Sequence, residues 1–211
     1  MFMPFEPKCK QCRREGTKLF LKGEKCFGTK CPVVRRTYPP GVHGPAQTRT
    51  KKLMGFARQL REKQKARRVY RLKEYQFRNY VEAAQRRKGD SGQFLKNMLE
   101  MRLDNVVYRT GFATSRDQAR QLVGHGLIRV NDKKVNIPSY QVSVGDALTF
   151  KDATLNSKIG EEVKKRLEKL EPPSWITINP TRVEAKVTST PREEDMGLIF
   201  DTQPIIEYYS R

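Results

Sequence analysis

The chain has 211 residues, with 43 Lys and Arg against 23 Asp and Glu, giving a formal charge of +20. That length allows one large domain or two small ones, and that charge opposes compaction unless an anionic partner supplies counter-charge. No run of 18 apolar residues occurs and residues 1–8 lack the basic start and apolar stretch of a secretory signal, so neither a spanning helix nor a signal is expected. The single Trp175 falls outside the basic region, so a membrane-surface helix is not expected either.

The charge is unevenly spread. Residues 1–88 carry 25 Lys and Arg against 6 Asp and Glu, whereas residues 89–211 carry 18 against 17. The N-terminal part is therefore the expected main phosphate-facing surface. It opens with all the cysteines of the chain, Cys9, Cys12, Cys26 and Cys31, spaced C-x2-C-x13-C-x4-C. Four thiolates at such spacing suit a closed tetrahedral Zn²⁺ site, structural because no coordination position stays open. An iron–sulfur cluster also accepts four cysteines and is the lesser metal reading. Two disulfides, or four unlinked buried thiols, are the competing uses, although disulfides rarely persist in the reducing compartment expected of a signal-free basic chain.

Between and beyond the cysteines, Arg13, Arg14, Lys22, Arg35 and Arg36 are candidate phosphate contacts. The segment 33–50 is rich in Pro, Gly and Arg and is expected to be extended, with Tyr38 and His43 able to stack on bases. His43 reads as an RNA-surface residue and not a fifth ligand, since four thiolates fill a zinc shell. Residues 49–88 read as strongly basic helix, and candidates there are Arg49, Lys51, Lys52, Arg58, Arg61, Lys63, Lys65, Arg67, Arg68 and Arg71. Leu53, Phe56 and Leu60 form one apolar stripe, and Tyr70, Phe77, Tyr80, Val81 and Ala84 another. The polar stretch 61–68 between them is expected to face solvent or RNA, because its arginines have no matching acids nearby. A solvated charge run is the bland alternative.

After a short hinge at 88–94, a helix carries Leu95, Leu99, Leu103, Val106 and Thr110 on one stripe, with Arg102 and Arg109 on its flank. A second helix follows Ser115, its N-cap, with Gln118 as capping-box partner and Arg116 and Arg120 one turn apart. His125 sits in the glycine-flanked turn that ends it. Leu127–Val130 reads as a strand, Asn131–Asp132 as its turn, and Lys133–Ile137 as the return strand with Val135 and Ile137 on one side. Lys133 and Lys134 mark the hairpin tip. Ala147–Phe150 reads as a further strand, Asn156–Leu170 as helix and Trp175–Ile178 as strand, with Trp175 a packing anchor. Met196–Arg211 reads as a tail docking on another element.

The segment Met101–Asp146, MRLDNVVYRTGFATSRDQARQLVGHGLIRVNDKKVNIPSYQVSVGD, closely resembles the RNA-binding domain named after ribosomal protein S-four. That domain also occurs in pseudouridine synthases and tyrosyl-tRNA synthetases. The resemblance extends along the chain through CKQCRREG at 9–16, LFLKGEKC at 19–26, YPPGVHG at 38–44, QLREKQK at 59–65 and IIEYYSR at 205–211. In that order these motifs look like the bacterial S-four family of the small ribosomal subunit. The resemblance implies an α+β protein in two parts. One is a mainly helical basic domain with a four-cysteine metal knuckle, residues 1–97 completed by the tail 195–211. The other is an inserted RNA-binding domain, residues 98–194, with helices packed on a small antiparallel sheet.

It further implies a non-enzymatic, cytoplasmic protein of the small subunit, a plastid copy being the alternative. Family members bind the 5′ domain of small-subunit rRNA early in assembly and lie near the path by which mRNA enters, beside small-subunit proteins three and five. They influence decoding accuracy and often repress their own mRNA. The rivals are an RNA-modifying enzyme using the same domain as an address tag and a zinc-dependent DNA regulator. Neither finds its motif: there is no phosphate-binding loop, no H-E-x-x-H and no repeated recognition helix, and Asp104 reads as half of a fold-stabilising pair.

Overall fold

A computed structural model describes residues 7–45, 55–155 and 157–210. The candidates Arg49, Lys51 and Lys52, with Leu53 of the first apolar stripe, lie outside the described residues. The chain divides into two compact units, Met1–Gly92 with Ile199–Arg211, and Gln93–Leu198. The division at Gly92 falls in the first turn of a helix, Ser91–Glu100.

The first unit begins with α1 (Lys8–Glu15), which ends where Gly16 takes a left-handed φ of 69° and returns its N–H to the Arg13 carbonyl. A 3-10 turn at Gly23–Cys26 and the short α2 (Pro32–Arg35) follow, the latter opened by a proline whose fixed φ suits the first helical turn. Two longer helices come next, α3 (Phe56–Val69) and α4 (Glu74–Gln85). The basic stretch is therefore interrupted, at Tyr70–Lys73, where Arg71 adopts a left-handed φ of 55°. The stretch 61–68 does not simply face outward: Gln59, Lys63 and Ala66, spaced by four and three residues, are buried on α3.

In the second unit α5 (Ser91–Glu100), α6 (Leu103–Arg109) and α7 (Arg116–Gly124) precede the sheet. Ser115 caps α7, its Oγ accepting the Gln118 N–H at 3.3 Å. The reciprocal bond is displaced by one residue, since Gln118 Oε1 accepts from the N–H and hydroxyl of Thr114, each at 2.7 Å, and not from Ser115. The strands β1 (Ile128–Val130), β2 (Lys133–Lys134), β3 (Ala147–Phe150), β4 (Ile176–Asn179) and β5 (Glu184–Val187) form one antiparallel sheet in the order β2-β1-β3-β5-β4. Asn131 and Asp132 carry positive φ values of 48° and 62°, as a tight two-residue hairpin turn requires.

The return strand is shorter than expected. It ends at Lys134, and Ile137 is exposed, because Pro138 has no N–H to donate to a ladder and the following residues bond elsewhere. The Leu103 N–H donates to the Tyr140 carbonyl at 2.8 Å and the Val142 N–H to the Met101 carbonyl at 2.9 Å, tying this loop to the start of α6. Two short helices, α8 (Asp152–Leu155) and α9 (Lys158–Leu167), connect β3 to β4, and α10 (Glu193–Met196) follows β5. The core of this unit runs from Leu103 and Val106 through Phe112, Ile128, Leu148 and Phe150 to Trp175, which is fully buried.

Finally α11 (Gln203–Tyr209) returns to the first unit and packs on α3 and α4. Ile205 is fully buried there, Tyr208 stacks on Phe56 at 5.5 Å, and Phe200 meets Tyr70 edge-on at 6.1 Å. Replacing Ile205 with Ala removes buried apolar volume from this seam. We expect Ile205→Ala to destabilise the first unit by about 2–5 kcal/mol while leaving the unfolding of the second unit unchanged, as resolved by hydrogen exchange along the chain.

Candidate nucleic-acid interface

Cationic side chains in this protein fall into two groups: those already paired within the fold and those that are not. The sequence does not distinguish them, and the distinction decides which can meet a phosphate.

On α3 most are paired. Lys63 is 4% exposed and its ammonium lies 2.5 Å from Glu74 Oε1, above the rings of Tyr208 at 4.6 Å and Tyr209 at 5.8 Å. Arg61 and Arg68 both pair with Glu15 of α1, Arg67 with Glu74 at 3.4 Å, and Lys65 with Glu62 at 2.5 Å. Arg71 is buried and donates to Gln11, and exposed Arg58 stands 3.9 Å from Asp201. Lys63 and Arg71 are thus not surface phosphate contacts, and the apparent lack of matching acids is corrected: the acids come from α1, α4 and the tail.

Two carboxyls here respond oppositely to burial. Burial pushes the Glu15 carboxyl above its ordinary 4.5, outweighing the pull of Arg61, Arg68 and Lys65. Glu74 is also penalised by burial, but hydrogen bonds from Lys63 and the Tyr209 hydroxyl, with the charges of Lys63 and Arg67, bring it below 4.5. Tyr209 is correspondingly raised, first by burial and then by donating to Glu74.

In the second unit two buried acids gather the arginines. Arg102 is 1% exposed and grips Asp104 with Nε at 3.1 Å and Nη2 at 2.9 Å. Arg109 makes a two-pronged contact with fully buried Glu100, both bonds at 2.9 Å, and also donates to the Met196 carbonyl. Arg102 and Arg109 therefore point into the fold and not from an exposed flank, a correction whose cause is the need of two desolvated carboxylates for counter-charge. Arg116 donates through Nε to Asn105 Oδ1 at 2.7 Å and lies 4.6 Å above the Tyr108 ring, while Asn105 in turn donates to Glu100. Arg120 approaches Asp104 at 3.5 Å and keeps a partly exposed side chain.

His125, Lys133 and Lys134 are exposed. Lys134 lies across the turn that ends α7: a Cβ on Gly126, whose φ is 66°, would fall 2.3 Å from Lys134 Cε. Glycine there lets the hairpin tip and the end of α7 share one basic edge.

The first unit's N-terminal module holds the rest. Arg13 is fixed by donating to the Tyr38 and Pro39 carbonyls at 3.1 and 3.2 Å, with its guanidinium 4.8 Å from the Tyr38 ring. Arg14 reaches the Pro40 carbonyl. Lys22, Arg35, Arg36 and His43 are exposed. A hollow of about 300 Å³ is lined by Cys9, Lys10, Arg13, Lys30, Pro32, Arg35 and Arg36. Lys10 was not among the expected contacts, although it lies one turn before Arg13 and Arg14 on α1.

All four cysteines are free thiols, and Cys12, Cys26 and Cys31 are buried. Cys9 and Cys12 lie three apart on α1, not in a turn, and so share one face. Burial raises the Cys12 thiol; a hydrogen bond from the Leu19 backbone lowers it, and Cys26, Cys9 and Cys31 raise it further. The Lys22 N–H donates to Cys26 Sγ at 3.3 Å. Among the described residues no group of three or more His, Cys, Asp or Glu is placed as a ready ligand set, so the expected knuckle is seen as a thiol cluster and not as a formed metal centre.

Residues 5–100 match the model of the ribosomal protein S4/S9 N-terminal domain and residues 101–148 that of the S4 domain. The chain is 48% identical to small ribosomal subunit protein uS4 of Halothermothrix orenii over 205 residues, covering 97% of each chain. It is 48% identical to that of Syntrophomonas wolfei over 96% of each chain, and 47% identical to that of Koribacter versatilis over 96% of each.

A lowered Glu74 stabilises the fold above pH 4.5, and that contribution is lost as pH falls through its folded value. We expect Glu74→Gln to cost about 1–2 kcal/mol at pH 7, less than a fully buried pair because the carboxylate is partly exposed. The gap from wild type should narrow in urea unfolding series as pH falls from 4.5 through the lowered folded-state value.

Proposed function

The chain belongs to the small ribosomal subunit protein uS4 family, and from that membership we propose that it is a primary binder of the 5′ domain of small-subunit rRNA that nucleates folding of that domain. Like its relatives it is a non-enzymatic, RNA-binding protein of the small ribosomal subunit, which in bacteria is cytoplasmic. The observation that carries the reading is the likeness to uS4 proteins along nearly the whole length of both chains. Supporting it, the exposed cations occur on both units, at the N-terminal module and at the edge formed by His125, Lys133 and Lys134. A protein that holds RNA helices at two basic surfaces lowers the entropic cost of the contacts that form later. We further place it near the path by which mRNA enters, beside small-subunit proteins three and five, with an influence on decoding accuracy and repression of its own message.

For the thiol cluster we propose a structural Zn²⁺ held by Cys9, Cys12, Cys26 and Cys31, an iron–sulfur cluster being the lesser alternative. Bound there, the ion would cross-link α1, the 3-10 turn and α2. What supports it is the burial of three free thiols and the backbone donors aimed at Cys12 and Cys26. Elemental analysis of the purified chain should find about one zinc per protein. Cys9→Ser with Cys12→Ser should abolish that and lower the unfolding temperature of the first unit. A metal-free wild type that is equally stable with added zinc would refute the proposal.

Binding tests the main reading. Against 5′-domain rRNA the chain should bind tightly, lose affinity steeply with salt, and resist competition by an equally long unrelated structured RNA. Equal affinity for both RNAs would reduce it to a general basic RNA binder.

A further inference from the structure

We propose that Ile137, Tyr140 and Val144 of the second unit form a docking face for an uncharged, apolar patch on another protein of the small subunit. The proposal rests on the reading of the chain as a small-subunit rRNA binder and deepens it by assigning a surface that faces protein. Among the described residues, the exposed large apolar side chains of this unit are Ile137, Tyr140, Val144 and Ile159. All but Ile159 fall in the loop that follows β2. The aliphatic pair is the more exposed, Ile137 at 57% and Val144 at 51%, in a unit that buries its other large aliphatic side chains in whole or in part.

The backbone holds these residues together. The Tyr140 N–H donates to the Ile137 carbonyl at 3.1 Å, which places both residues in one turn. Beyond it Tyr140 and Val144 are exposed while Val142 is buried, the alternation by which an extended chain puts every second residue on one side. The loop is also anchored at both ends. The Asp104 N–H donates to the Pro138 carbonyl at 3.2 Å, and the Gly145 N–H to the Val187 carbonyl at 2.8 Å, in addition to the bonds that tie Tyr140 and Val142 to the start of α6. The face is therefore ordered before a partner arrives, which lowers the entropic cost of docking.

Charge selects the occupant. Residues 135–146 contain no Lys or Arg, in a chain that has 43 of them in 211 residues. Their one charged residue, Asp146, is engaged within the fold, accepting from the Ser143 N–H and the Asn131 amide at 2.8 Å each. A phosphate backbone would meet no cation in this loop, whereas an apolar centre rimmed by the exposed, uncharged Asn136, Ser139 and Ser143 has the anatomy of a protein contact. A second copy of the chain does not suit it. Three side chains fall far short of the ~800 Å² per partner that a stable pair buries, so the face works where RNA already fixes two proteins side by side and supplies the effective concentration.

The test places a photoreactive benzophenone side chain at position 140 of the full-length chain, purifies small subunits from cells that produce it, and identifies the cross-link by mass spectrometry after irradiation. A cross-link to a peptide of another small-subunit protein is expected. A cross-link to rRNA, to this chain or a second copy of it, or to nothing, would overturn the proposal.

Substitution supplies an independent measurement. Ile137→Ser with Val144→Ser should keep the wild-type unfolding midpoint and the wild-type affinity for naked 5′-domain rRNA, yet hold the cross-linked protein about tenfold more weakly in reconstituted subunits. Ile159→Ser, an exposed apolar position outside the loop, should hold it as wild type does. Equal loss in both variants would reduce the effect to surface hydrophobicity, and a matching loss of affinity for naked rRNA would assign the face to RNA; either overturns the proposal. If wild type showed no preference for 5′-domain rRNA while the cross-link still reached a small-subunit protein, the nucleating role would fail and the docking face would stand. Preference for that RNA with no protein cross-link would leave the nucleating role standing and remove the face.

Discussion

The ammonium of Lys63 is the group on which the first unit closes. It belongs to α3, it is buried, and its counter-charge comes from Glu74 of α4 while its remaining surroundings are two tyrosine rings of α11. A buried ammonium without such partners would be strongly destabilising, so the three helices must assemble together or not at all. The tail is therefore part of the fold: Glu207 accepts from Gln59, the Tyr209 hydroxyl donates to Glu74, and Glu62 accepts from the Asp201 N–H. Dispersion and apolar burial at Ile205, Phe77 and Tyr208 supply attraction, while the polar contacts fix which face of α3 the tail meets.

The second unit solves the same problem with the signs exchanged. There the buried groups needing counter-charge are carboxylates, Glu100 and Asp104, and the arginines on and beside α6 turn inward to serve them. Asn105 bridges this cluster to Arg116, whose guanidinium also lies over Tyr108. Arg116 and Arg120 are consequently held in place from within, which lets a partly exposed cation meet a ligand with less ordering left to do.

Much of the second unit was legible because its signals are local. The cap at Ser115 and the Asn131–Asp132 turn each operate within a few residues, whereas the single helix expected to carry Leu95 to Thr110 is two, α5 and α6, broken at Met101 and Arg102, where Arg102 takes an extended conformation. Burial of Trp175 could also be read, since a lone large aromatic amid short strands needs a core. β5 was not legible: over Glu184–Val187 the buried residues are only Ala185 and Val187, alternating with two charges, and the strand exists because it pairs with both β3 and β4. The buried face of α3 was equally hidden, since Gln59 and Lys63 carry no apolar signature and their partners lie in the tail. The inward turn of Arg102 and the pairing of Arg68 with Glu15, 53 residues away, are tertiary facts that helical spacing cannot carry. The placement of Cys9 and Cys12 on a helix was not readable from their spacing, which suited a turn equally well.

Counting basic residues therefore overstates what such a chain offers to RNA. Counterion release is driven by cations that exchange solvent ions for phosphates, and a guanidinium already matched to a carboxylate has few solvent ions to release. By that criterion α3, the richest in arginine, contributes chiefly to holding the fold. The less conspicuous cations of α1, α2 and the hairpin tip carry the exposed field. The excess charge thus divides by physical role. One share is neutralised within the fold, where low dielectric makes pairing compulsory, and the other stands where only a polyanion can neutralise it, which couples the ordering of the basic surface to the presence of RNA.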